Sequence, residues 1–248
     1  MKVIFLCGGY ATRLWPLTKN KPKALLDIAG KPILSHILEK MKHVYEIDEI
    51  VVSTNKKFEH DFHAWANTTN TKIPISIITE PTMNEEEKFG AIAGINYVIE
   101  KKRIDDDCMI IAGDNMFGFY MQDFIEFFRT KNEPVVAAFD IKDLAKSRLY
   151  GILSIDTKSK IIAFEEKPAK PASTLASTCC YIFPKKTIKL LQKYILEGNP
   201  KDAPGNFLKW LIAKDVVYAF VFDQYWFDIG DFGSLEETRK FMSQLDPI

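Results

Sequence analysis

The residues best placed to do chemistry lie near the amino terminus, in the loop GGYATRLWPLTKNKPKALL (Gly8–Leu26), which follows the apolar run Val3–Cys7. Gly8 and Gly9 present no Cβ, so consecutive backbone N–H groups can close around an anion. Arg13, Lys19, Lys21, Lys23 and Lys31 follow within two dozen positions and are opposed only by Asp27. A glycine turn delivered by a strand and loaded with cations suits a chain of phosphates.

Carboxylates form the second group. The stretch IIAGDNMFG puts Asp114 and Asn115 just past a β-rich run, where open α/β sheets bind ligands. Taken alone, Gly-Asp-Asn equally describes a turn. Farther on, YWFDIGDFGSL carries Asp228 and Asp231. Asp231 suits the N-cap of a closing helix. Asp228 could instead join Asp114 on a hard divalent cation, because Mg²⁺ takes one or two protein carboxylates and fills its octahedron with phosphate oxygens and water. In FEEKPAKP, strand alternation sends Glu165 and Lys167 to one face and Glu166 to the other. On its own that segment reads as a solvated hairpin edge. Glu85–Lys88 reads as the charged amino end of a helix. The four histidines, His36, His43, His60 and His63, have no ligand-like grouping, and at least one of Cys179 and Cys180 belongs in the core.

These groups need a scaffold, and the sequence has the material for one. Its 248 residues are 47% hydrophobic, and Lys+Arg equals Asp+Glu at 33 each, so the basic loop is a local device and bulk nucleic-acid binding is not expected. Four cysteines without disulfide or zinc spacing point to a reducing, cytoplasmic setting. No apolar run approaches the length of a membrane span. Strands are expected at Val3–Cys7, Glu49–Ser53, Ile75–Glu80, Cys108–Ala112 and Val135–Phe139, alternating with helices at Pro32–Val44, Glu87–Lys101 and Met121–Thr130. That rhythm predicts a parallel sheet with crossover helices. Closely spaced strands at Gly151–Asp156, Ile161–Glu166 and Ser177–Phe183 predict a small antiparallel or mixed insert. Helices at Lys185–Leu196, Asn206–Ala213 and Ser234–Leu245, with a strand at Val216–Phe222, complete one unit over 1–248.

In their order and spacing, GGYATRLWPLT with KPKALL, GDN, YGIL, EEKP and WFDIGD resemble the sugar-1-phosphate nucleotidyltransferases, and especially the glucose-1-phosphate thymidylyltransferase branch. The resemblance covers nearly the whole chain. It implies a Rossmann-like α/β/α sandwich with a mostly parallel mixed sheet, a small β insert and an active site along the carboxyl edge. It also implies that Leu6, Gly8, Gly9, Ala11, Thr12, Arg13, Lys23, Glu80 and Gly90 face the nucleotide, with Arg13 and Lys23 on its phosphates. Asn115, Gly151, Glu166 and Lys167 would face the sugar phosphate. Asp114 and Asp228 would hold Mg²⁺, and the catalytic set would be Arg13, Lys23, Asp114, Lys167 and Asp228. The implied partners are a nucleoside triphosphate and a sugar-1-phosphate, with neither nucleic acid nor membrane. The sequence is compatible with a homo-oligomer and carries no signal for one.

Three departures shape the expectations. Ala11 stands where the family often has Gly, which costs roughly 1 kcal/mol if that residue is left-handed. Glu80 stands where the thymidylyltransferase branch uses Gln, and a longer acidic stretch precedes Gly90. Ionised Glu only accepts hydrogen bonds and would repel a pyrimidine O4. Glu80 is therefore expected to turn aside, leaving the backbone of Pro81–Gly90 to read UTP or dTTP; the alternative keeps Glu80 on the base and selects CTP or GTP. Finally, the C-terminal β-helix domain of some family members is not expected here. The chemistry needs no general base, because a sugar phosphate with a second pKa of about 6 is already a dianion at neutral pH. Cations must dominate, since a triphosphate of roughly −4 meets a nucleophile of roughly −2. Two alternatives stay open: a cytidylyl- or guanylyltransferase acting on another phosphate monoester, and a catalytically silent subunit that binds nucleotide sugars.

Overall fold

The computed structural model describes residues 1–245, so the last three residues of the expected 1–248 unit lie outside the described residues. Its strands are β1 (Lys2–Cys7), β2 (Asp27–Ile28), β3 (Lys31–Pro32), β4 (Glu49–Asn55), β5 (Ile75–Glu80), β6 (Cys108–Ala112), β7 (Asn115–Phe117), β8 (Val135–Asp140), β9 (Gly151–Ile155), β10 (Ile161–Glu166), β11 (Leu175–Phe183), β12 (Tyr218–Phe222) and β13 (Trp226–Asp228). The helices are α1 (Ile33–Glu39), α2 (Glu59–Thr68), α3 (Ala91–Lys102), α4 (Met121–Lys131), α5 (Leu144–Ser147), α6 (Lys185–Leu196), α7 (Pro204–Ile212) and α8 (Phe232–Met242).

Alternation along the strands builds two cores, one on each face of the central sheet. On β1, Val3 and Phe5 join one core and Ile4 the other. The first core takes its helical side chains from α1, α2, α4 and α8, including Ile37, Trp65, Phe124 and Leu235. The second takes Ile95, Leu191 and Leu208 from α3, α6 and α7. The result is a three-layer α/β/α arrangement.

Strands β5, β4, β1 and β6 pair in parallel, so their carboxyl ends share one edge. Antiparallel β11 follows β6 and makes two connections. One of its edges pairs with β8, which carries β12 in parallel. The other edge pairs with β6 through Cys180–Phe183 and, farther along, with β9 through Leu175 and Ala176. Strand β9 thus takes over where β6 stops, and a gap opens between them at the carboxyl edge. The β11 register shifts opposite that gap, with Cys179 at φ 52.

Several expectations are corrected. The predicted antiparallel insert is present as β9, β10 and β11, and the detail the sequence did not show is that β11 runs through the middle of the central sheet. Helix α1 stops at Glu39, after which i→i+3 turns at Lys40, Met41 and Val44 keep Met41 and Val44 buried. Helix α3 starts at Ala91 because Gly90, at φ 84 and ψ 155, breaks the path. Glu85–Glu87 is a separate 3₁₀ turn capped by Asn84. Strand β11 begins earlier than predicted and β12 later. The pairs β2–β3 and β7–β13, with α5, are additions.

Helix α8 begins as expected from Asp231, whose Oδ1 accepts from Ser234 N at 2.8 Å while Ser234 Oγ accepts from Asp231 N at 3.1 Å. This reciprocal box satisfies donors the helix cannot pair itself. Asp231→Ala should cost about 1 kcal/mol and lower the melting temperature by roughly 2–4 °C, with Asp231→Ser keeping most of the stability. Thermal melts of the two variants check this, and equal losses would show that the cap is not the source.

Candidate functional site

The basic loop leaves β1 and folds over the carboxyl edge as two 3₁₀ turns, Thr12–Leu14 and Lys23–Leu25. Ala11 precedes the first in the left-handed region, φ 48 and ψ 47. It carries the strain a Gly would avoid, and its carbonyl is held by Leu14 N at 3.0 Å and Thr18 Oγ1 at 2.7 Å. Gly8 O accepts from Asn55 Nδ2 at 3.0 Å, and Gly9 faces open space. Arg13, exposed with Thr12, lies against Gly230, whose added Cβ would stand 3.4 Å from the guanidinium. Lys31 leaves the cluster, because the β2–β3 turn sends it to Glu39 at 2.7 Å.

Asp114 emerges in the gap beyond β6. Strand β13 pairs antiparallel with β7, bringing Asp228 opposite Asn115, and Ile229 N donates to Asp114 O at 3.1 Å. Two carboxylates far apart in sequence thereby stand side by side. Burial opposes ionisation of Asp114, but the Lys23 ammonium, 2.5 Å from Oδ2, and the Asn115 amide outweigh it and hold the carboxyl below its ordinary value. Burial, and then the charge on Asp114, push Asp228 up to about 6 against the pull of Lys23, Arg13 and Lys167. The site thus brings together the five residues of the predicted catalytic set.

A small cavity of about 90 Å³ opens here, lined in part by Leu6, Gly9, Ala11, Lys23, Gly113 and Asp114. A larger hollow of about 350 Å³ lies at the opposite, amino edge, between Met1, Glu46 and Arg129. Its Arg129 is paired with Glu46 at 2.9 Å and it contains neither carboxylate. The smaller cavity is the one the charged groups address.

Glu80 ends β5 only 5% exposed, its carboxyl wedged between Gly8 and Gly94 and accepting from Ser53 Oγ at 3.1 Å. Burial raises its pKa. Gly90 packs against the backbone of Lys201 and Asp202, whose carbonyls accept from Ile92 N and Ala91 N at 2.9 and 3.1 Å. On the other side, Glu166 pairs with Gly151, and its Oε2 lies beside Gly205 at the start of α7. Lys167 leaves the strand alternation at φ 46, its N–H donating to Tyr150 O at 3.0 Å. Asn115, 3% exposed, spends its amide on Asp114 and on Trp226, so a sugar contact would have to share those bonds. The sequence reading missed Trp226, although period-2 spacing puts it on the same face of β13 as Asp228.

Two carboxylates, one of them hard to ionise beside the other, fit a hard divalent cation that would relieve their repulsion. Among the described residues no group of three or more His, Cys, Asp or Glu side chains could hold a metal, so a cation here would rest on the two carboxylates with ligands of other kinds. The raised Asp228 value also has a sign for stability. A carboxyl whose pKa is raised on folding destabilises the folded state once ionised, so its penalty is small near pH 4, builds as pH rises from the unfolded value of 3.8 toward about 6 and is complete above that. Without divalent cations, Asp228→Asn should therefore be more stable than wild type at pH 8 by on the order of 2–3 kcal/mol, the gap closing by about pH 4. Urea melts at the two pH values check it, and a constant difference would refute the titration.

Known proteins are similar to this chain in sequence and in fold. A nucleotidyl transferase family profile matches residues 2–244. The bifunctional protein GlmU of Methanocaldococcus jannaschii is 29% identical over 250 residues, covering 100% of this chain and 55% of the relative. The mannose-1-phosphate guanylyltransferase of Mycobacterium tuberculosis is 27% identical over 92% of this chain and 60% of its own. The chain thus spans little more than half the length of these relatives. A Bacillus anthracis crystal structure, provisionally assigned as a glucose-1-phosphate thymidylyltransferase and solved with sucrose, superposes with a TM-score of 0.83 at 25% identity, covering 100% of this chain and 97% of that one. No helix among the described residues is long and apolar enough to cross a membrane. With the profile spanning almost its full length and the fold reproduced end to end, the chain belongs to the nucleotidyl transferase family.

Proposed function

We propose that this chain joins a sugar-1-phosphate, most simply glucose-1-phosphate, to UTP or dTTP and releases pyrophosphate. What carries the reading is the carboxylate pair Asp114 and Asp228, set in the combined field of Arg13, Lys23 and Lys167. Asp114 and Asp228 would hold Mg²⁺, which when bound neutralises phosphate charge. Arg13 and the loop N–H groups grip the triphosphate. Lys23, which rests on Asp114, would also face the triphosphate. Lys167 holds the sugar phosphate and Glu166 a sugar hydroxyl. The sugar phosphate oxygen attacks the α-phosphorus in line, one P–O bond forms, the bond to the pyrophosphate oxygen breaks, and no proton transfer is needed.

The base is read by the backbone of Pro81–Gly90, because the Glu80 carboxyl is turned inward against Gly8, Gly94 and Ser53. A relative named for guanylyl transfer is similar in sequence and a structure named for thymidylyl transfer is similar in fold, so base choice rests on local contacts.

Pyrophosphate release across a grid of five nucleoside triphosphates and several sugar-1-phosphates tests the reading. UTP and dTTP should both be used, and Glu80→Gln should change their preference only modestly. A strong CTP or GTP preference lost in Glu80→Gln would return Glu80 to the base, and no release with any pair would leave a binding subunit. The lysines separate in the same assay. Lys167→Ala should raise the sugar-phosphate requirement at least tenfold with a smaller effect on nucleotide, and Lys23→Ala the reverse. Direct binding measurements distinguish this from a changed rate-limiting step.

A further inference from the structure

Trp226 has no role in the chemistry proposed above, yet its indole is tied to the carboxylate pair through Asn115. Its Nε1–H lies 2.6 Å from Asn115 Oδ1, and Asn115 Nδ2 lies 2.8 Å from Asp114 Oδ1. The direction of this chain is fixed by chemistry: an indole nitrogen only donates and a carboxylate only accepts, so the amide between them has one orientation. Asn115, the link between the two, is buried. The ring is held independently, edge-on to Tyr150 with centroids 4.9 Å apart and against Phe139 at 6.1 Å.

We infer that Trp226 is a positioning residue for Asp114, acting through the Asn115 amide to engage Oδ1 and leave Oδ2, the oxygen now on Lys23, as the one offered to a cation. This rests on the proposed role of Asp114 as a metal ligand. An unoriented carboxylate would have to fix its own rotation on binding, and loss of such an outer partner typically weakens metal affinity by 10–100-fold. The indole also touches Tyr150, whose carbonyl fixes the Lys167 backbone, so one side chain braces both the carboxylate and the segment carrying Lys167.

The test uses Trp226→Phe, which keeps a ring against Tyr150 and deletes the N–H, with Mn²⁺ binding followed by electron paramagnetic resonance with and without UTP. Mn²⁺ should bind about tenfold more weakly than to wild type. In a double-mutant cycle with Asn115→Leu the two losses should not add, because both break one chain. On the unaltered protein, the Trp226 indole proton should exchange slowly by NMR and shift on Mg²⁺ addition, whereas the indole of exposed Trp15 should do neither. Wild-type Mn²⁺ affinity in Trp226→Phe, additive losses, or a Trp226 indole exchanging as fast as that of Trp15 would each overturn the relay. If wild type bound Mn²⁺ no more tightly than Asp228→Asn, the metal reading itself would fall and the relay with it, a result distinct from failure of the relay alone.

Discussion

Like charges held together are the constraint on which the rest of this structure depends. Asp114 and Asp228 approach because β7 pairs with β13, a contact between segments separated by more than a hundred residues. Left alone the pair would repel, and the rise of Asp228 to about 6 reflects its burial first and the Asp114 charge second. The chain offsets it with cations from separate places: Lys23 and Arg13 from the loop after β1, and Lys167 from the end of β10. Each cation is useful only if its own element ends at the same edge. The parallel block β5–β4–β1–β6 delivers the loop and Asp114 there, and antiparallel β11 carries β9 into line beyond β6 so that Gly151, Glu166 and Lys167 reach it from the other side.

Of the eight non-glycine residues with positive φ among the described residues, three lie around this point. Ala11, Lys167 and Cys179 are all left-handed without being glycine, each at a cost of roughly 1–2 kcal/mol. They sit at the loop over the cavity, at the end of β10 and at the β11 register shift opposite the gap. Conformations of this kind persist where surrounding contacts over-determine them: the Ala11 carbonyl holds two donors, and the Lys167 N–H is held by Tyr150. The two sides of the site are also joined through the backbone, because Gly90 and the start of α3 dock on the Lys201–Asp202 carbonyls just before α7, whose Gly205 lies beside Glu166.

Much of this was legible in residue order. The apolar run VIFLC marked a strand, which the fold buries on both faces, helical spacing located α4 and α6 closely, and Asp231 announced α8 through its capping chemistry. Short elements were not legible: β7 and β13 have three residues each, too few for periodicity to stand out, and neither makes sense without the other. Helix α1 ended before its apolar pattern did, and i→i+3 turns bury Met41 and Val44 instead.

The sequence by itself determined which groups are available: a cation-rich glycine loop after a strand, carboxylates at Asp114 and Asp228, and Glu166-Lys167 ahead of a proline. These are properties of local composition and of chain geometry over a few residues. Only the tertiary structure decided how the groups are spent. It took Lys31 away to Glu39, turned Glu80 inward between Gly8 and Gly94, drew Asn115 into a chain from Trp226 to Asp114, and set Lys23 on the carboxylate. The reason is that hydrogen bonds and charge pairs fall off over a few ångströms, and those distances are set by strand pairing between distant segments.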